Sequence, residues 1–198
     1  MTKKELFLSL AAGFLSGLFL IPTLINTGYY YKIPFINPIL FVVLPALAAF
    51  GMFVANFIGK RILLIWQFAK FSLVGVLNTA IDFGILNLLI FATGITQGLG
   101  IFFIAGISFS CATINSYFWN RDFTFGSSRK AAQSFPIFAV VTLIGLLINS
   151  SLVYLLSTYV FSQFVTSATL APNLAKVVAT FVSLVWNFAG YRLIVFKK

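Results

Sequence analysis

The sequence has no histidine, one cysteine and only three carboxylates among its 198 residues. Without histidine, neither Ser-His-Asp nor Cys-His catalysis is available, and a zinc site would lack its usual ligands. The single cysteine, Cys111, excludes a disulfide bond within the chain. The sequence also has no GxxxxGK loop for a nucleotide. We therefore expect no enzymatic activity, no metal and no cofactor.

Charged residues make up only 8% of the chain, whereas hydrophobic residues make up 61% and phenylalanine alone occurs 25 times. Because soluble domains carry about 25% charged residues, this composition indicates an integral membrane protein. A membrane-spanning helix needs about 20 residues, so the chain can supply several spans but no sizeable extramembrane domain. The predicted fold class is all-α, a polytopic membrane helical bundle of six transmembrane helices.

Short polar breaks separate six apolar stretches. The predicted spans are Leu6–Ile25, Phe35–Ile58, Phe71–Ala92, Gly100–Trp119, Phe135–Phe161 and Pro172–Tyr191. We expect residues 1–60 to form two N-terminal helices and residues 61–198 to form a four-helix domain. The segment Gly59–Phe68 has a basic start and a tryptophan, which favours a linker along the membrane interface.

The first span begins like a signal peptide but lacks a convincing cleavage site, so we expect the chain to retain it. Within this span, Gly13 and Gly17 form a small-xxx-small pair, which permits close approach of another helix. The pattern is a weak signal, because glycine is common in membrane helices.

Basic residues indicate the orientation of the chain. If the N-terminus is cytoplasmic, 11 of the 13 lysines and arginines fall on the inner side. They are Lys3, Lys4, Lys60, Arg61, Lys70, Arg121, Arg129, Lys130, Arg192, Lys197 and Lys198. We therefore predict a multi-pass protein of the inner (cytoplasmic) cell membrane with both termini in the cytoplasm.

An internal repeat is indicated at an offset of 71 residues. Asn78 aligns with Asn149, and SYFWNRDFTF (116–125) resembles NFAGYRLIVF (187–196). The repeating unit is a two-helix hairpin, and transporters often place their site between such repeats. The alternative is that two spans end alike because arginine and aromatic residues suit the headgroup region.

Asp82 and Lys176 are charged residues inside predicted spans, where charges are costly and usually paired or functional. Each occurs in one copy of the repeat only. Counting helical rise from Lys70 and Arg192 places the two charges within about 6 Å of each other in height. Three interpretations are open: a structural ion pair, an anionic-substrate site at Lys176 regulated by Asp82, and snorkelling of Lys176 to the outer interface.

Small and polar residues recur at helical spacing on four predicted spans. The stripes are Gly75–Asn78–Asp82, Ser108–Ala112–Asn115, Thr142–Gly145–Asn149 and Lys176–Thr180–Ser183–Asn187. Together they would enclose a polar seam, although ordinary hydrogen bonding between helices explains any one of them. At the inner face we expect Asn120, Arg121, Arg192 and Lys70 near the headgroups, where arginine binds phosphate of a substrate or of anionic lipids.

Three segments carry family-level motifs: FAKFSLVGVLNTAIDF (68–83), INSYFWNRDFTF (114–125) and NLAKVVATFVSLVWNFAGYRLIVF (173–196). Through them residues 68–198 resemble the GtrA-like family, which includes the transmembrane region of dolichyl-phosphate mannose synthase-type proteins. Tyr191 departs from the family pattern, which usually has asparagine before the arginine. The resemblance implies translocation of a polyprenyl-phosphate-linked monosaccharide for cell-envelope polysaccharide glycosylation. It implies the substrate-binding residues Asn78, Asp82, Asn115, Asn120, Arg121, Lys176, Asn187 and Arg192.

Two other functions stay open. A non-catalytic anchor or organiser of a polyprenyl-phosphate glycosyltransferase would depend on loops such as Gly126–Lys130 rather than on embedded charges. A proton-coupled cation exporter would use Asp82, although the positive charge along the path disfavours a cationic cargo. Besides the lipid-linked sugar and membrane lipids, the expected partners are such a glycosyltransferase and a second copy of the chain. The net charge lies on short loops, so nucleic acid is not an expected partner.

Overall fold

The computed structural model describes residues 1–59, 63–119, 123–124 and 135–190. Regular structure in these ranges is helical. The long helices are α1 (Lys3–Asn26), α2 (Ile36–Gly59), α3 (Leu63–Thr93), α4 (Gly98–Trp119), α5 (Phe135–Leu155, continued by Leu156–Phe161 and Ser162–Phe164) and α6 (Leu170–Gly190). Helices α3 and α4 form the first hairpin of the predicted repeat, and α5 and α6 form the second.

Within the described residues, five helices, α1 to α5, are long and apolar enough to cross a membrane. Helix α6 is 21 residues long and lies outside that set. It carries one lysine and two asparagines, and it packs along α5, one of the five apolar helices. The predicted all-α polytopic membrane bundle is confirmed.

Helix α3 is longer than its predicted span. It begins at Leu63 and continues for 31 residues. The predicted interfacial linker Gly59–Phe68 is therefore wrong from Leu63 onward, because this part continues into the spanning helix. The segment LLIWQF contains neither proline nor glycine, so nothing local interrupts the helix. Helix α3 ends at Thr93, where Gly94 takes a left-handed φ of 69° typical of a helix C-terminus.

Successive helices run antiparallel. The amino group of Met1 donates a hydrogen bond of 2.9 Å to Asn56, near the end of α2. Similarly, the indole of Trp186 near the end of α6 donates to the Val141 carbonyl near the start of α5, at 3.0 Å. We call the end of the bundle that carries Met1 the N-terminal face and the other end the opposite face.

Glycines bring α1 close to two other helices. A Cβ atom on Gly13 or Gly17 would overlap backbone atoms of α2. This confirms the close approach predicted from the small-xxx-small pair. A Cβ on Gly84 of α3 would overlap the carbonyl oxygen of Phe19. Helix α1 therefore packs directly on the four-helix region, while the domain boundary at residue 60 stays a prediction.

The apolar core of the described residues is divided into three clusters. The largest fills the half of the four-helix region nearer the opposite face and consists of Leu86, Ile90, Ile101, Ile104, Ala105, Val153, Ala175 and Ala179. A second cluster joins α1 to α3 and α4 through Ala12, Leu77, Ile81 and Ala112. The third lies near the N-terminal face and consists of Met52, Val74 and Phe123. Polar side chains occupy the space between the two hairpins at mid-bundle.

Candidate functional site

Asp82 and Lys176 form an ion pair inside the bundle, with 2.7 Å between Lys176 Nζ and Asp82 Oδ1. Lys176 is 0% exposed and Asp82 5% exposed. Asp82 belongs to the first hairpin and Lys176 to the second, so each hairpin contributes the charge that compensates the other. Each charge needs a counter-charge because both side chains are buried away from bulk water. The structure shows the ion pair and contradicts snorkelling of Lys176 to an interface.

Two further residues complete the hydrogen bonding of this pair. Ser108 Oγ donates to Asp82 Oδ1 at 2.7 Å. Lys176 Nζ donates to Asn149 Oδ1 at 2.7 Å and to Ser108 Oγ at 3.2 Å. Each of the helices α3 to α6 thus provides one residue, and all four residues are buried. We call Asp82, Ser108, Asn149 and Lys176 the polar layer.

One helical turn from the polar layer toward the opposite face, each of the helices α3 to α6 has an apolar residue. Leu86, Ile104, Val153 and Pro172 each lie four residues along the chain from a member of the polar layer. All four are buried. We call these four residues the apolar layer. Leu86, Ile104 and Val153 belong to one apolar cluster, and their side chains offer a phosphate or a sugar no hydrogen-bond partner.

One turn in the other direction, toward the N-terminal face, the corresponding residues are Asn78, Ala112, Gly145 and Thr180. Two are polar and two are small. Asn115 Nδ2 donates to Asn78 Oδ1 at 2.7 Å. In the second hairpin, Asn149 of the polar layer donates through Nδ2 to Ser183 Oγ at 3.3 Å. Hydrogen-bonding groups therefore continue from the polar layer toward the N-terminal face.

Among the described residues, three buried side-chain atoms have no hydrogen-bond partner: Ser150 Oγ, Thr180 Oγ1 and Asn187 Oδ1. Thr180 and Asn187 share one face of α6 with Lys176. A Cβ atom on Gly145 would lie 2.5 Å from Asn187 Oδ1, so the missing side chain of Gly145 provides the space for this amide. The polar face of α6 thus retains unused hydrogen-bonding capacity.

Five of the eight predicted substrate-binding residues lie within the described ranges. The structure brings Asp82 and Lys176 into direct contact. It also joins Asn78 to Asn115. Asn187 lies 11 residues from Lys176 on the same helix, a rise of about 16 Å. Asn120, Arg121 and Arg192 lie outside the described residues, so their roles stay predictions.

Lys70, predicted to lie with the arginines at the inner face, has its own counter-charge. Its Nζ is 2.6 Å from Glu5 Oε1 in α1. It also lies over the ring of Trp66 at 4.7 Å and over that of Phe123 at 5.2 Å. The charge of Lys70 is therefore compensated within the protein, and it links α1 to α3 at the N-terminal face.

Sequence reasoning placed Ser108 and Asn149 on polar stripes but did not include them among the site residues. The helical spacing that defines the stripes could have identified Ser108 and Asn149. Sequence reasoning did not predict a cluster of asparagines near the opposite face. We call this cluster, formed by Asn26, Asn87 and Asn173, the amide cluster. The side chains of Asn87 and Asn173 exchange hydrogen bonds of 2.6 and 2.7 Å. Asn26 donates to the Asn87 carbonyl at 2.7 Å, which ties α1 to α3 and α6.

Comparison with known proteins identifies the family. Residues 70–196, which include the whole polar layer, match the family model described as GtrA/DPMS, transmembrane domain. The uncharacterized membrane protein YngA of Bacillus subtilis (strain 168) is 34% identical over 128 residues, covering 64% of this chain and 77% of that protein. No solved structure matches the chain. Because the family model spans more than half of its length, this multi-pass membrane protein belongs to the GtrA/DPMS transmembrane-domain family.

Proposed function

We propose that the protein moves a polyprenyl-phosphate-linked monosaccharide from one membrane leaflet to the other, for cell-envelope polysaccharide glycosylation. Family membership supports a role in glycan and polyprenyl-sugar metabolism. The isoprenoid tail of such a lipid can stay in the hydrocarbon, whereas its phosphate and sugar must cross it. The proposed activity is transport, without a covalent step, and its proposed partners are this lipid and the surrounding membrane.

The observation that carries the proposal is the buried contact between Lys176 and Asp82. A phosphate that reaches Lys176 from the N-terminal face would take the place of the Asp82 carboxylate, since both groups are oxyanions. Asp82 would keep the hydrogen bond that Ser108 donates. Asp82 would take up a proton from the N-terminal side as the phosphate binds, so that neither the lysine nor Asp82 becomes an uncompensated charge in the membrane. The ion pair is thus a binding site held in its unliganded form by an internal anion.

The layers on either side give this exchange a direction. Polar side chains continue from the ion pair toward the N-terminal face, whereas the apolar side chains of Leu86, Ile104 and Val153 pack on its other side. Because Lys176 is 0% exposed, the described conformation is closed toward both faces. We propose entry from the polar side; release at the opposite face would require Leu86, Ile104 and Val153 to separate, which would let the headgroup pass. This is alternating access about a fixed site between two repeats.

We further propose that the N-terminal face is cytoplasmic in the inner cell membrane, with both termini on that side. The distribution of lysine and arginine supports this orientation. It is checked by single cysteines placed in a Cys111→Ala chain. A membrane-impermeant maleimide added to intact cells should label Lys32→Cys and leave Lys3→Cys unlabelled; the reverse pattern would invert the proposed orientation.

The function is tested in proteoliposomes that contain a polyprenyl-phosphate hexose, by following its distribution between leaflets. Wild-type protein should accelerate equilibration, whereas the double variant Asp82→Asn/Lys176→Met should behave like empty vesicles. This variant removes both charges, so it leaves no unpaired charge in the core. Lys32→Gln is the matched control, because it removes a lysine from the loop after α1 and should retain wild-type transport.

Two outcomes would overturn the proposal. A folded double variant that moves the lipid as fast as wild type would remove the ion pair from the mechanism. A folded wild-type protein that moves no lipid would exclude translocation and favour the anchoring function. Co-purification with a glycosyltransferase would then be the next measurement. Size-exclusion chromatography in detergent establishes folding in each case.

A further inference from the structure

We propose that Thr180 and Asn187 of α6 form a hydroxyl-binding site that selects a lipid whose phosphate carries a sugar over one whose phosphate is bare. This inference rests on the proposed function and deepens it, since it assigns the headgroup selectivity to two particular side chains. The starting observation is that Thr180 Oγ1 and Asn187 Oδ1 are buried without a hydrogen-bond partner.

Such atoms are unusual, because the large majority of buried polar atoms in proteins are paired. The cost of leaving them unpaired is greater inside a membrane, where no bulk water can serve as partner. Other polar groups of the same region are paired. Asn149 and Ser183, for example, bond to each other, and Asn78 accepts from Asn115. A hydroxyl group of the transported lipid would supply the hydrogen-bond partner that Thr180 Oγ1 and Asn187 Oδ1 lack.

The position of Thr180 fits a group attached to a phosphate at Lys176. The two residues are four positions apart on one face of α6, a rise of about 6 Å. Thr180 lies on the side that leads to the N-terminal face, away from the apolar layer. A sugar linked to a phosphate at Lys176 would therefore have the threonine hydroxyl within reach. A hydroxyl can both donate to and accept from a sugar.

Asn187 lies about two further turns along the same face, at the approach to this position. Its amide oxygen is an acceptor for a sugar hydroxyl, and the space beside it depends on Gly145. We infer that the sugar meets Asn187 on entry and Thr180 once the phosphate has reached Lys176. A bare phosphate has no sugar hydroxyl to offer and gains nothing from either contact.

Ser150 provides a matched control, because its Oγ is the third unpartnered buried atom. It belongs to α5, and its hydroxyl lies 3.2 Å from the position of a Cβ on Gly106 of α4. There it borders an apolar groove lined by Phe103, Ile107 and Leu147 rather than the polar face of α6. Removing this hydroxyl deletes another buried, unpartnered atom without changing the proposed path.

The experiment compares two cargo lipids, polyprenyl-phosphate hexose and polyprenyl phosphate, in the same proteoliposome assay. Thr180→Val and Asn187→Leu remove the polar atoms while keeping the size of the side chains. Each should slow the hexose lipid by about tenfold, the equivalent of one lost hydrogen bond, and leave the bare phosphate lipid at its wild-type rate. Ser150→Ala should leave both rates unchanged.

Two results would overturn the inference. Equal slowing of both lipids by Thr180→Val and Asn187→Leu would indicate a structural role. Unchanged rates for both lipids would show that the two residues have no role in recognition. In either case wild-type transport of the hexose lipid would leave the proposed function standing. If wild-type protein moves neither lipid, the proposed function fails, and the selectivity assigned to these residues fails with it.

Discussion

Lys176 Nζ and Asp82 Oδ1 are 2.7 Å apart, although the two residues belong to different hairpins. At the repeat offset of 71 residues, Asp82 aligns with Val153 and Lys176 with Ala105. Both aligned residues are 0% exposed members of the apolar core. The hairpin can therefore be built with an apolar residue at either position. The ion pair is a property of the two hairpins together, as expected for a site between the two copies of the predicted repeat.

The first prediction concerns the stability of this pair. Asp82→Asn leaves the lysine charge buried without a counter-ion, so the variant should lose about 3–5 kcal/mol of stability. The double variant Asp82→Asn/Lys176→Met should recover most of this loss, because neither charge then remains. Thermal unfolding in detergent measures both effects. A melting temperature of Asp82→Asn equal to that of wild type would show that the pair is not needed to hold the hairpins together.

The fold class and the similar depth of Asp82 and Lys176 could be predicted because both follow from one-dimensional quantities. Apolar runs of about 20 residues specify spans. A rise of 1.5 Å per residue then sets the depth of a charge in its span. Depth alone brought Asp82 and Lys176 to the same level. Depth could not decide whether they touch, because contact also requires that the helices be rotated toward each other.

The remaining contacts depend on that rotation and on distant partners. Lys70 resembled a free cation because Glu5, which compensates it, lies 65 residues earlier in the chain. The amide cluster was missed because the sequence does not reveal the rotation that brings Asn87 to Asn173, and because a third helix, α1, supplies Asn26. Its approach to Asn87 depends on the packing of α1 against Gly84, which composition and periodicity do not reveal.

The second prediction tests this packing with two glycines of the same helix. A Cβ on Gly84 would overlap the backbone of Phe19, whereas a Cβ on Gly75 would meet nothing within 4 Å. Gly84→Ala should therefore destabilise the protein by about 1–3 kcal/mol through overpacking. Gly75→Ala should be neutral or slightly stabilising, since alanine favours the helix. Thermal unfolding of both variants checks the difference, and equal melting temperatures would contradict the close contact between α1 and α3.

The third prediction concerns the amide cluster. Asn87 is 0% exposed and exchanges two hydrogen bonds with Asn173. Asn87→Leu leaves the buried amide of Asn173 without these partners and should cost about 1–3 kcal/mol, measured by thermal unfolding. Leu88→Ala is the control, because Leu88 is 49% exposed on the neighbouring position of the same helix. Its melting temperature should stay close to that of wild type.

The double variant Asn87→Leu/Asn173→Leu separates the hydrogen bonds from the shape of the site. Replacing both partners of a buried hydrogen bond by apolar groups of similar size can be nearly neutral, whereas replacing one leaves the other unpaired. We therefore expect the double variant to be more stable than Asn87→Leu alone. If the double variant is less stable than wild type by the sum of the losses measured for Asn87→Leu and Asn173→Leu, the two asparagines contribute independently. The amide cluster would then not couple α3 to α6.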